Sequence, residues 1–253
     1  MIAVERQQRI YEYVEQHRSA KVSELAELMS VTEETIRRDL DELTLQGRLQ
    51  RRHGGAMAVD PVHYDLSFDD RKVLLVAEKQ MIAQHALSYI NEGDTLFLDA
   101  SSTVLQLAKI LPDMRLTVIT NCYYLIQELA GKPKIRIVSS GGNLDVTSMS
   151  FLGPSAEKTL QNYFVDKLFI SCRGLDLSRG ASDAIELQSS LKSIMMHNAE
   201  EHYLLLDHTK FDKKSLAVFA SVQQFDRIIT DSAIKQSIRQ SYRTHELPLE
   251  IAG

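Results

Sequence analysis

The segment Asp99–Thr103 (D-A-S-S-T) has the side-chain chemistry of an anion-binding loop. It follows an apolar run and leads directly into a predicted helix. The hydroxyl groups of Ser101, Ser102 and Thr103, together with the unpaired N–H groups of a helix N-terminus, favour an anion, most naturally a phosphate. The alternative is a helix cap with surplus serines, because a hydroxyl group at this place also caps a helix.

Other segments place ligand-binding groups at the predicted ends of strands. Thr120 and Asn121 end one apolar run with two hydrogen-bonding side chains. Gly141 and Gly142 allow the backbone to approach a ligand closely, and Lys210 supplies a cation after another apolar run. Capping alone does not explain four such segments. A polyhydroxy compound that carries a phosphate fits them best.

A second group of reactive side chains surrounds the predicted helix that follows Thr32. Thr32 can act as its N-cap, and apolar residues from Ile36 onward recur at helical spacing. Arg38 lies nearly opposite that apolar stripe. A shorter helix, residues 22–29, precedes it across a tight connection, with Ser23 as its expected N-cap; this is helix-turn-helix spacing. The candidate DNA-contacting residues of this region are Ser23, Thr32, Thr35, Arg37 and Arg38.

An arginine- and glycine-rich segment after this helix predicts the wing of a winged helix. Leu49 with alternating polar neighbours indicates a short strand, and Gly54–Gly55 indicates a sharp turn. Residues 37–52 contain five arginines and three acids. We therefore favour a phosphate-binding patch with salt-dependent affinity over charges that only solvate a turn. The side chains that the wing would present are Arg48, Arg51, Arg52 and His53.

The part of the chain that contains Asp99–Thr103 and the other strand-end segments alternates between β-rich and helical runs. This alternation predicts an α/β domain with a parallel or mostly parallel sheet that is covered on both faces. In such sheets ligands lie beyond the carboxyl ends of the strands. The predicted strands are residues 95–98, 116–120, 135–139, 168–171, 203–206 and 227–230, and the helical intervals include residues 103–111, 122–130 and 187–198.

Length and composition indicate two domains. The chain has 253 residues, 44% of them hydrophobic, and a formal net charge of −5; this balance argues against non-specific coating of nucleic acid. We predict a winged helix-turn-helix domain at residues 1–57, a linker at residues 58–75 and an effector domain at residues 76–253. The expected oligomer is a homodimer or homotetramer that places recognition helices at spaced half-sites of double-stranded operator DNA.

Cysteine usage and the N-terminus predict a cytoplasmic protein. Cys122 and Cys172 are too few and too far apart for a disulfide framework or a zinc site, so we expect buried or half-buried free thiols in a reducing compartment. The histidines do not cluster at metal spacing. We expect no metal, no cofactor, no signal peptide and no membrane span.

Residues 3–57 resemble the N-terminal domain of the DeoR family of bacterial regulators of sugar metabolism. The strings T-I-R-R-D-L at residues 35–40 and H-G-G-A at residues 53–56 carry this resemblance. It continues through D-A-S-S-T, V-I-T-N, S-S-G-G-N-L, G-L-D and D-H-T-K-F, which are similar to the effector domain of the same family. That domain is related in fold to sugar-phosphate isomerases of the ribose-5-phosphate isomerase and glucosamine-6-phosphate deaminase type.

The resemblance also implies roles for individual residues. Thr35, Arg37 and Arg38 would contact DNA, with Arg51 and Arg52 on the wing. Ser101, Ser102 and Thr103 would hold the phosphate. The residues that would line or complete the sugar site are Asp99, Thr120, Asn121, Gly141, Asp176, Asp183 and Lys210.

These features together predict a regulator, most simply a repressor that a phosphorylated sugar releases from its operator. F-L-G-P-S at residues 151–155 and S-C-R-G-L-D at residues 171–176 are most similar to regulators of rhamnose or fucose use, which implies a ketose 1-phosphate. Three alternatives remain open at this point: an activator with the same effector, an isomerase-like enzyme that uses Asp176, Asp183 or Glu186 as a base, and a DNA-binding module without a ligand.

Overall fold

The computed structural model describes residues 3–45, 48–58 and 67–253. The chain divides into two compact units, Met1–Leu66 and Ser67–Gly253. Part of the expected linker, residues 59–66, lies outside the described residues. At residues 67–75 the structure differs from the expectation, because Phe68 is fully buried in the core of the second unit and anchors a helix there.

The first unit is a winged helix, as predicted. Its helices pack on one apolar core that includes the fully buried Ile10, Leu25, Ile36 and Leu40. Its three strands form an antiparallel sheet in the order β1-β3-β2. The elements are α1 (Ala3–His17), β1 (Ser19–Lys21), α2 (Val22–Met29), α3 (Glu33–Leu45), β2 (Leu49–Arg52) and β3 (Gly55–Ala58).

The turn between α2 and α3 is set by two local interactions. Ser30 adopts a positive φ of 54° and ends α2. The Thr35 N–H donates to Thr32 Oγ1 at 3.3 Å, so the predicted N-cap of α3 is confirmed. The expected N-cap of α2 was wrong: α2 begins at Val22, Ser23 is an exposed first-turn residue, and the Glu24 carboxylate accepts the Lys21 N–H instead.

The second unit is built on a parallel sheet of seven strands among the described residues, in the order β15-β14-β12-β9-β4-β5-β6. Its strands are β4 (Thr95–Leu98), β5 (Leu116–Thr120), β6 (Ile135–Ser139), β9 (Val165–Ile170), β12 (Ala199–Leu205), β14 (Arg227–Asp231) and β15 (Leu249–Ala252). Leu96 and Leu98 belong to one apolar core and Phe97 to another, so both faces of the sheet are covered. The predicted α/β sheet is thereby confirmed.

Helices cover this sheet, and the second unit also contains two small antiparallel sheets that are separate from it. The helices are α4 (Phe68–Val73), α5 (Val76–Leu87), α6 (Ser102–Ile110), α7 (Tyr123–Leu129), α8 (Pro154–Leu160), α9 (Glu186–His197) and α10 (Gln236–Thr244), with 3₁₀ turns at His208–Lys210 and Val222–Gln224. β7 (Asn143–Asp145) pairs with β8 (Ser150–Leu152). A second sheet, β10-β11-β13, consists of Gly174–Asp176, Gly180–Asp183 and Ala217–Ala220. None of the described helices is long and apolar enough to span a membrane.

Candidate functional site

The exposed side of α3 carries the two arginines that were predicted to read DNA. Arg38 is 81% exposed and lies 3.5 Å from Glu34, one turn earlier. The Arg37 guanidinium donates to Glu33 at 2.6 Å. Surface pairs of this i,i+4 kind contribute only about 0.3–0.5 kcal/mol, so a phosphate or base edge can replace the glutamates at little cost.

Asp39, in the same string, has a structural role that the sequence did not reveal. It is buried, and Arg6 on α1 donates to both of its oxygens, at 2.5 and 3.1 Å. Gln7 adds a third bond at 3.2 Å. This network holds α1 against α3. One of the three acids counted against the arginines is therefore already neutralised inside the unit.

The three arginines in and around the wing have different surroundings. Arg51 Nε lies 2.9 Å from Asp41 on α3, and its Nη1 donates to the Gly55 carbonyl at 3.0 Å, so it braces the wing. Arg52 and His53 are exposed near the turn. Arg48 lies elsewhere: its guanidinium stacks 4.1 Å over the Tyr11 ring and donates to Gln8, and the expectation that it belongs to the presented wing was wrong.

The remaining DNA-contact candidates lie on α2 and at the start of α3. Ser23 is exposed on α2. Thr35 is half-buried, and its hydroxyl lies 3.0 Å from that of Thr32. The backbone of β3 passes very close to that of β1 at Gly55, because a side chain at this position would lie 2.2 Å from the Ala20 carbonyl oxygen. These contacts fix where the exposed arginines are presented.

In the second unit, parallel strands bring polar residues, the predicted Asp99 and Asn121 among them, to one edge of the sheet. Asp99 follows β4, Asn121 follows β5, Ser171 follows β9 and Asp207 lies just beyond β12. The order of these strands makes β4 the neighbour of both β5 and β9. Their carboxyl ends therefore meet, as predicted.

A buried ion cluster occupies the middle of this edge. Lys192 of α9 lies 2.5 Å from Asp183 and 3.1 Å from Asp99, and its ammonium also donates to the Ser171 carbonyl at 2.7 Å. Arg173 approaches Asp183 at 3.7 Å. Although burial acts to lower it, the pKa of Lys192 is raised by Asp183 and Asp99. The cluster thus keeps its charges paired out of water.

Two acceptor oxygens at this edge lack a hydrogen-bond partner within the described part of the chain. They are Asp99 Oδ1 and Asn121 Oδ1, and both are buried. The amide of Asn121 is oriented by a long bond, 3.4 Å, from Nδ2 to the Phe151 carbonyl. Buried acceptors without donors cost free energy, so this pair is suited to a ligand that donates hydrogen bonds.

The loop Asp99–Thr103 caps helix α6 and also carries hydroxyl groups that could bind an anion. Ser101 is the N-cap of α6 and accepts the Val104 N–H at 3.2 Å, so its hydroxyl has the capping role of the alternative interpretation. Ser102 and Thr103 are buried in the first turn. Their hydroxyls and the helix N-terminus keep the polarity that attracts an anion.

Positive charge gathers near the same strand ends. The pKa of Lys79 on α5 falls to about 8 because it is buried; Asp207 opposes this shift, whereas Lys210, Arg71 and Arg173 add to it. Burial likewise lowers the pKa of Lys210, against the attraction of Asp207. Lys79 donates to the carbonyls of Arg71 and Leu74, at 2.6 and 2.7 Å. Cations that depress one another's charging favour an anionic ligand.

Other predicted site residues are engaged locally. The fully buried Thr120 hydroxyl donates to the Leu98 carbonyl at 2.6 Å and accepts the Cys122 N–H, which ties β5 to β4. Asp176 accepts from Ser178 and the Arg179 N–H, so it shapes the β10–β11 turn. Its described contacts do not join it to the ion cluster.

The glycine pair shows why small residues follow β6. Gly141 and Gly142 have φ values of 61° and 110°. A side chain on Gly142 would lie 2.6 Å from the Leu152 carbonyl oxygen, whereas one on Gly141 would meet no atom within 4 Å. Gly142 is therefore needed for packing, and Gly141 leaves room beside the edge.

Four basic residues of this edge were missed from the sequence: Arg71, Lys79, Arg173 and Lys192. Lys192 and Lys79 lie on the buried stripes of their helices, with Leu191 and Met195 in α9 and with Ile82 and Ala83 in α5. A lysine on an otherwise apolar stripe is the signal that could have found two of them. Arg71 lies in the segment that was assigned to the linker.

Thiols and metal-binding groups add no further chemistry here. Both cysteines are free and buried, as expected, and burial raises the pKa of each thiol to about 12. Within the described ranges, no group of three His, Cys, Asp or Glu side chains converges as metal ligands would.

Solved structures with a similar fold include ribose 5-phosphate isomerase A from Methanocaldococcus jannaschii. The similarity covers 54% of each chain, with 17% identity and a TM-score of 0.37. It is a likeness of fold alone.

Curated relatives cover nearly the whole chain. An uncharacterized HTH-type transcriptional regulator, YulB of Bacillus subtilis, is 44% identical over 92% of this chain and 91% of its own. The L-fucose operon activator of Haemophilus influenzae is 34% identical over 96% and 97%. The transcriptional repressor AccR of Agrobacterium fabrum is 36% identical over 92% of both chains.

Two domain families match the two units in turn. Residues 6–62 match the DeoR-like helix-turn-helix domain, and residues 75–232 match the DeoR C terminal sensor domain. The winged helix, the parallel α/β sheet and these matches agree along the chain. The chain belongs to the DeoR family and is a DNA-binding transcriptional regulator.

Proposed function

We propose that this regulator represses a sugar catabolic operon and is released from its operator by a phosphorylated sugar. The observation that carries the proposal is the edge of the parallel sheet. There, the N-terminus of α6 and two acceptors that lack a partner among the described residues follow neighbouring strands. Lys210 after β12 and Lys79 on α5, whose pKa values are lowered, add positive charge near Asp207. Cations suit the phosphate, and the acceptors suit sugar hydroxyls.

The proposed effector site keeps the residues that were expected, with additions from the structure. Ser102, Thr103 and Lys210 would bind the phosphate, with positive charge from Lys79 and Arg71. Asp99 and Asn121 would accept sugar hydroxyls. The remaining members of the proposed site are Ser101, Thr120, Gly141, Gly142, Asp176 and Asp183, of which Ser101, Thr120 and Asp176 act through the local bonds described above.

The proposed DNA-binding surface is formed by α3 and the wing. Arg38 and Arg37 would reach base edges or phosphates, and Arg52 and His53 would contact the backbone or a minor groove. Ser23, Thr32, Thr35 and Arg51 complete the proposed set. We infer a homodimer or homotetramer with two recognition helices at spaced half-sites, which light scattering of the full chain in solution would test.

We infer that the effector is a ketose 1-phosphate of rhamnose or fucose use. A 34% identical relative is named as an L-fucose operon activator, which supports this choice. Thermal-shift screening tests it, because a ligand at 100 times its Kd stabilises the native state by about 2.7 kcal/mol. Stabilisation by L-fuculose or L-rhamnulose 1-phosphate is expected, and stabilisation only by a 6-phosphate would contradict it.

Activation of the operon is the second candidate, because the same relative is named an activator whereas the relative from Agrobacterium is named a repressor. A reporter fused to the operon, in cells with and without this chain, decides between the two. Higher expression without the chain supports repression. Lower expression without it supports activation by the same effector.

We propose further that the chain does not catalyse isomerisation. Asp183 is held by Lys192, and Asp176 is bonded within its own turn, so neither resembles a base poised against a substrate carbon. Incubation with ketose phosphates should yield no aldose by NMR.

A regulator of this kind would act in the cytoplasm, associated with the nucleoid while bound to its operator.

A further inference from the structure

Lys192 is a buried basic residue of α9 beside the proposed effector site. It lies on the buried stripe of α9, beside Leu191 and Met195, and is almost inaccessible to solvent. Its ammonium contacts three acceptors, on Ser171, Asp183 and Asp99. A lysine ammonium has three donor hydrogens. Two of them are donated to the Ser171 carbonyl and to Asp183, and the ammonium is ion-paired with Asp99 on its remaining side. The charge of Lys192 is therefore used within the protein.

The two oxygens of Asp99 are in different situations. Oδ2 accepts the Ser171 N–H at 3.2 Å and faces the Lys192 ammonium at 3.1 Å. Oδ1 is buried and has no partner among the described residues. Because Lys192 and Ser171 hold one side of the carboxylate, its other side points in a fixed direction. An ion-paired carboxylate accepts hydrogen bonds and donates none.

We propose that Lys192 is a positioning residue that orients Asp99 so that Asp99 Oδ1 accepts a hydroxyl group of the effector. This inference rests on the proposed function and narrows its ligand. The group that meets Oδ1 is a hydroxyl donor, and a carbonyl or ether oxygen at that place is rejected. The effector is thus a phosphate ester that carries a hydroxyl group within reach of its anion.

The position of Lys192 also connects ligand recognition to α9. The same ammonium ties Asp183 of β11 to Asp99 after β4, so one side chain joins a helix, the main sheet and the smaller sheet. Phe219 of β13 lies beneath it, 5.2 Å from the ammonium to the ring centroid. A hydroxyl bound at Oδ1 completes a network that these three elements already share.

The test compares two phosphate esters that differ in their hydroxyl groups. L-Fuculose 1-phosphate and n-propyl phosphate are titrated calorimetrically into the full chain, and the ratio of their Kd values is measured. The wild-type chain should prefer the sugar ester by at least about tenfold, the effect of one hydrogen bond to a charged group. Lys192→Met should lower this ratio by about tenfold, the effect of one such bond, whatever its effect on the Kd of propyl phosphate itself.

Two further variants keep the test decisive if Lys192→Met does not fold. Asp99→Asn retains the shape of the side chain, but the Ser171 N–H and Lys192 should hold its single oxygen, so that an NH2 donor replaces the acceptor Oδ1. This variant should also weaken the preference for the sugar ester. Lys158→Met, which removes an exposed lysine on α8, should keep it. Circular dichroism of each variant at the titration temperature establishes that it is folded.

Each outcome separates this inference from the proposed function. If folded Lys192→Met or Asp99→Asn keeps the wild-type ratio, the inference is overturned while the proposed function stands. If both esters weaken equally in Lys192→Met, Lys192 acts on the phosphate or on the fold, and the inference also fails. If the wild-type chain binds neither ester, the proposed effector and the inference fail together.

Discussion

The two charged regions of this chain hold their charges in opposite ways. On α3, Arg38 is 81% exposed, and its ion pair among the described residues is with Glu34, one turn earlier on the same helix. At the edge of the parallel sheet, the Lys192 side chain is 7% exposed and joins residues from three distant parts of the sequence. The first region has charge available to a partner, whereas the second uses its charge internally.

This difference indicates which region is costly to change. An exposed ion pair contributes little to stability, so its residues can be selected for contacts with DNA. A buried ion that loses its partner remains desolvated and unpaired, which is strongly destabilising. Mutations of the exposed arginines of α3 should therefore alter affinity without altering the fold, and mutations in the ion cluster should do both.

The largest expected effect is on the stability of the second unit. Lys192→Met leaves Asp99 buried without its cation and leaves Asp183 with Arg173 at 3.7 Å, and should lower the free energy of unfolding of this unit by about 3–5 kcal/mol. Differential scanning calorimetry of the full chain measures the shift, and Lys158→Met is the surface control. Adding Asp183→Asn should recover part of the loss. An unchanged transition in the single variant would remove the distinction between the two regions.

A smaller effect is expected within the DNA-binding unit, where Asp39 is the exception to its exposed charges. Arg6→Met removes two bonds to a buried carboxylate and should destabilise this unit by about 2 kcal/mol. Urea unfolding followed by circular dichroism would detect it. Arg9→Met, which breaks an exposed pair with Glu5 on the same helix, should have almost no effect. Equal losses in the two variants would contradict the assignment of Asp39 to the core.

Recognition of DNA should weaken without loss of stability when an exposed arginine is removed. Arg38→Ala should cost about 1–3 kcal/mol of operator binding, which is the usual value of an arginine–base contact. A mobility shift with operator DNA gives the affinity, and a thermal melt should stay unchanged. Arg9→Ala serves as the matched control on α1. Operator affinity equal to wild type in Arg38→Ala would count against α3 as the recognition helix.

The smallest expected effect is a pH dependence of effector binding. Lys79 has a pKa of about 8, so it loses its proton as pH rises from 7 to 9, while a phosphate ester remains a dianion. Affinity for the sugar phosphate should therefore fall with rising pH, by about tenfold at most because one proton is involved. Lys79→Arg, which stays charged, should flatten the profile. A steep fall in that variant would show that another group is responsible.

Much of the fold was predictable because local patterns determine it. The Thr32 cap, the apolar stripe of α3 and the alternation of strands and helices were all visible as spacing. β1 was not, since Ser19–Lys21 is three residues long and has a single buried residue. Helix α4 was missed because its position depends on the burial of Phe68 in a core formed far away in sequence.

The site was predictable only in part for a similar reason. Polar residues after apolar runs revealed Asp99 and Asn121, because strand ends are local features. The partners of Lys192 come from β4, β9 and β11, and only the folded sheet brings them together. Asp39 and Arg48 illustrate the same limit in the first unit: each belongs to a charged string, yet each packs against α1.

We infer that occupancy of the sheet edge controls how tightly the exposed arginines bind operator DNA. A mobility shift of the full chain on operator DNA, titrated with a panel of sugar phosphates and the corresponding free sugars, tests it most directly. We predict that a ketose 1-phosphate changes operator affinity at least about fivefold, the lower range of allosteric coupling, and that its free sugar does not. An operator affinity that no sugar phosphate changes would show that the sheet edge does not control DNA binding.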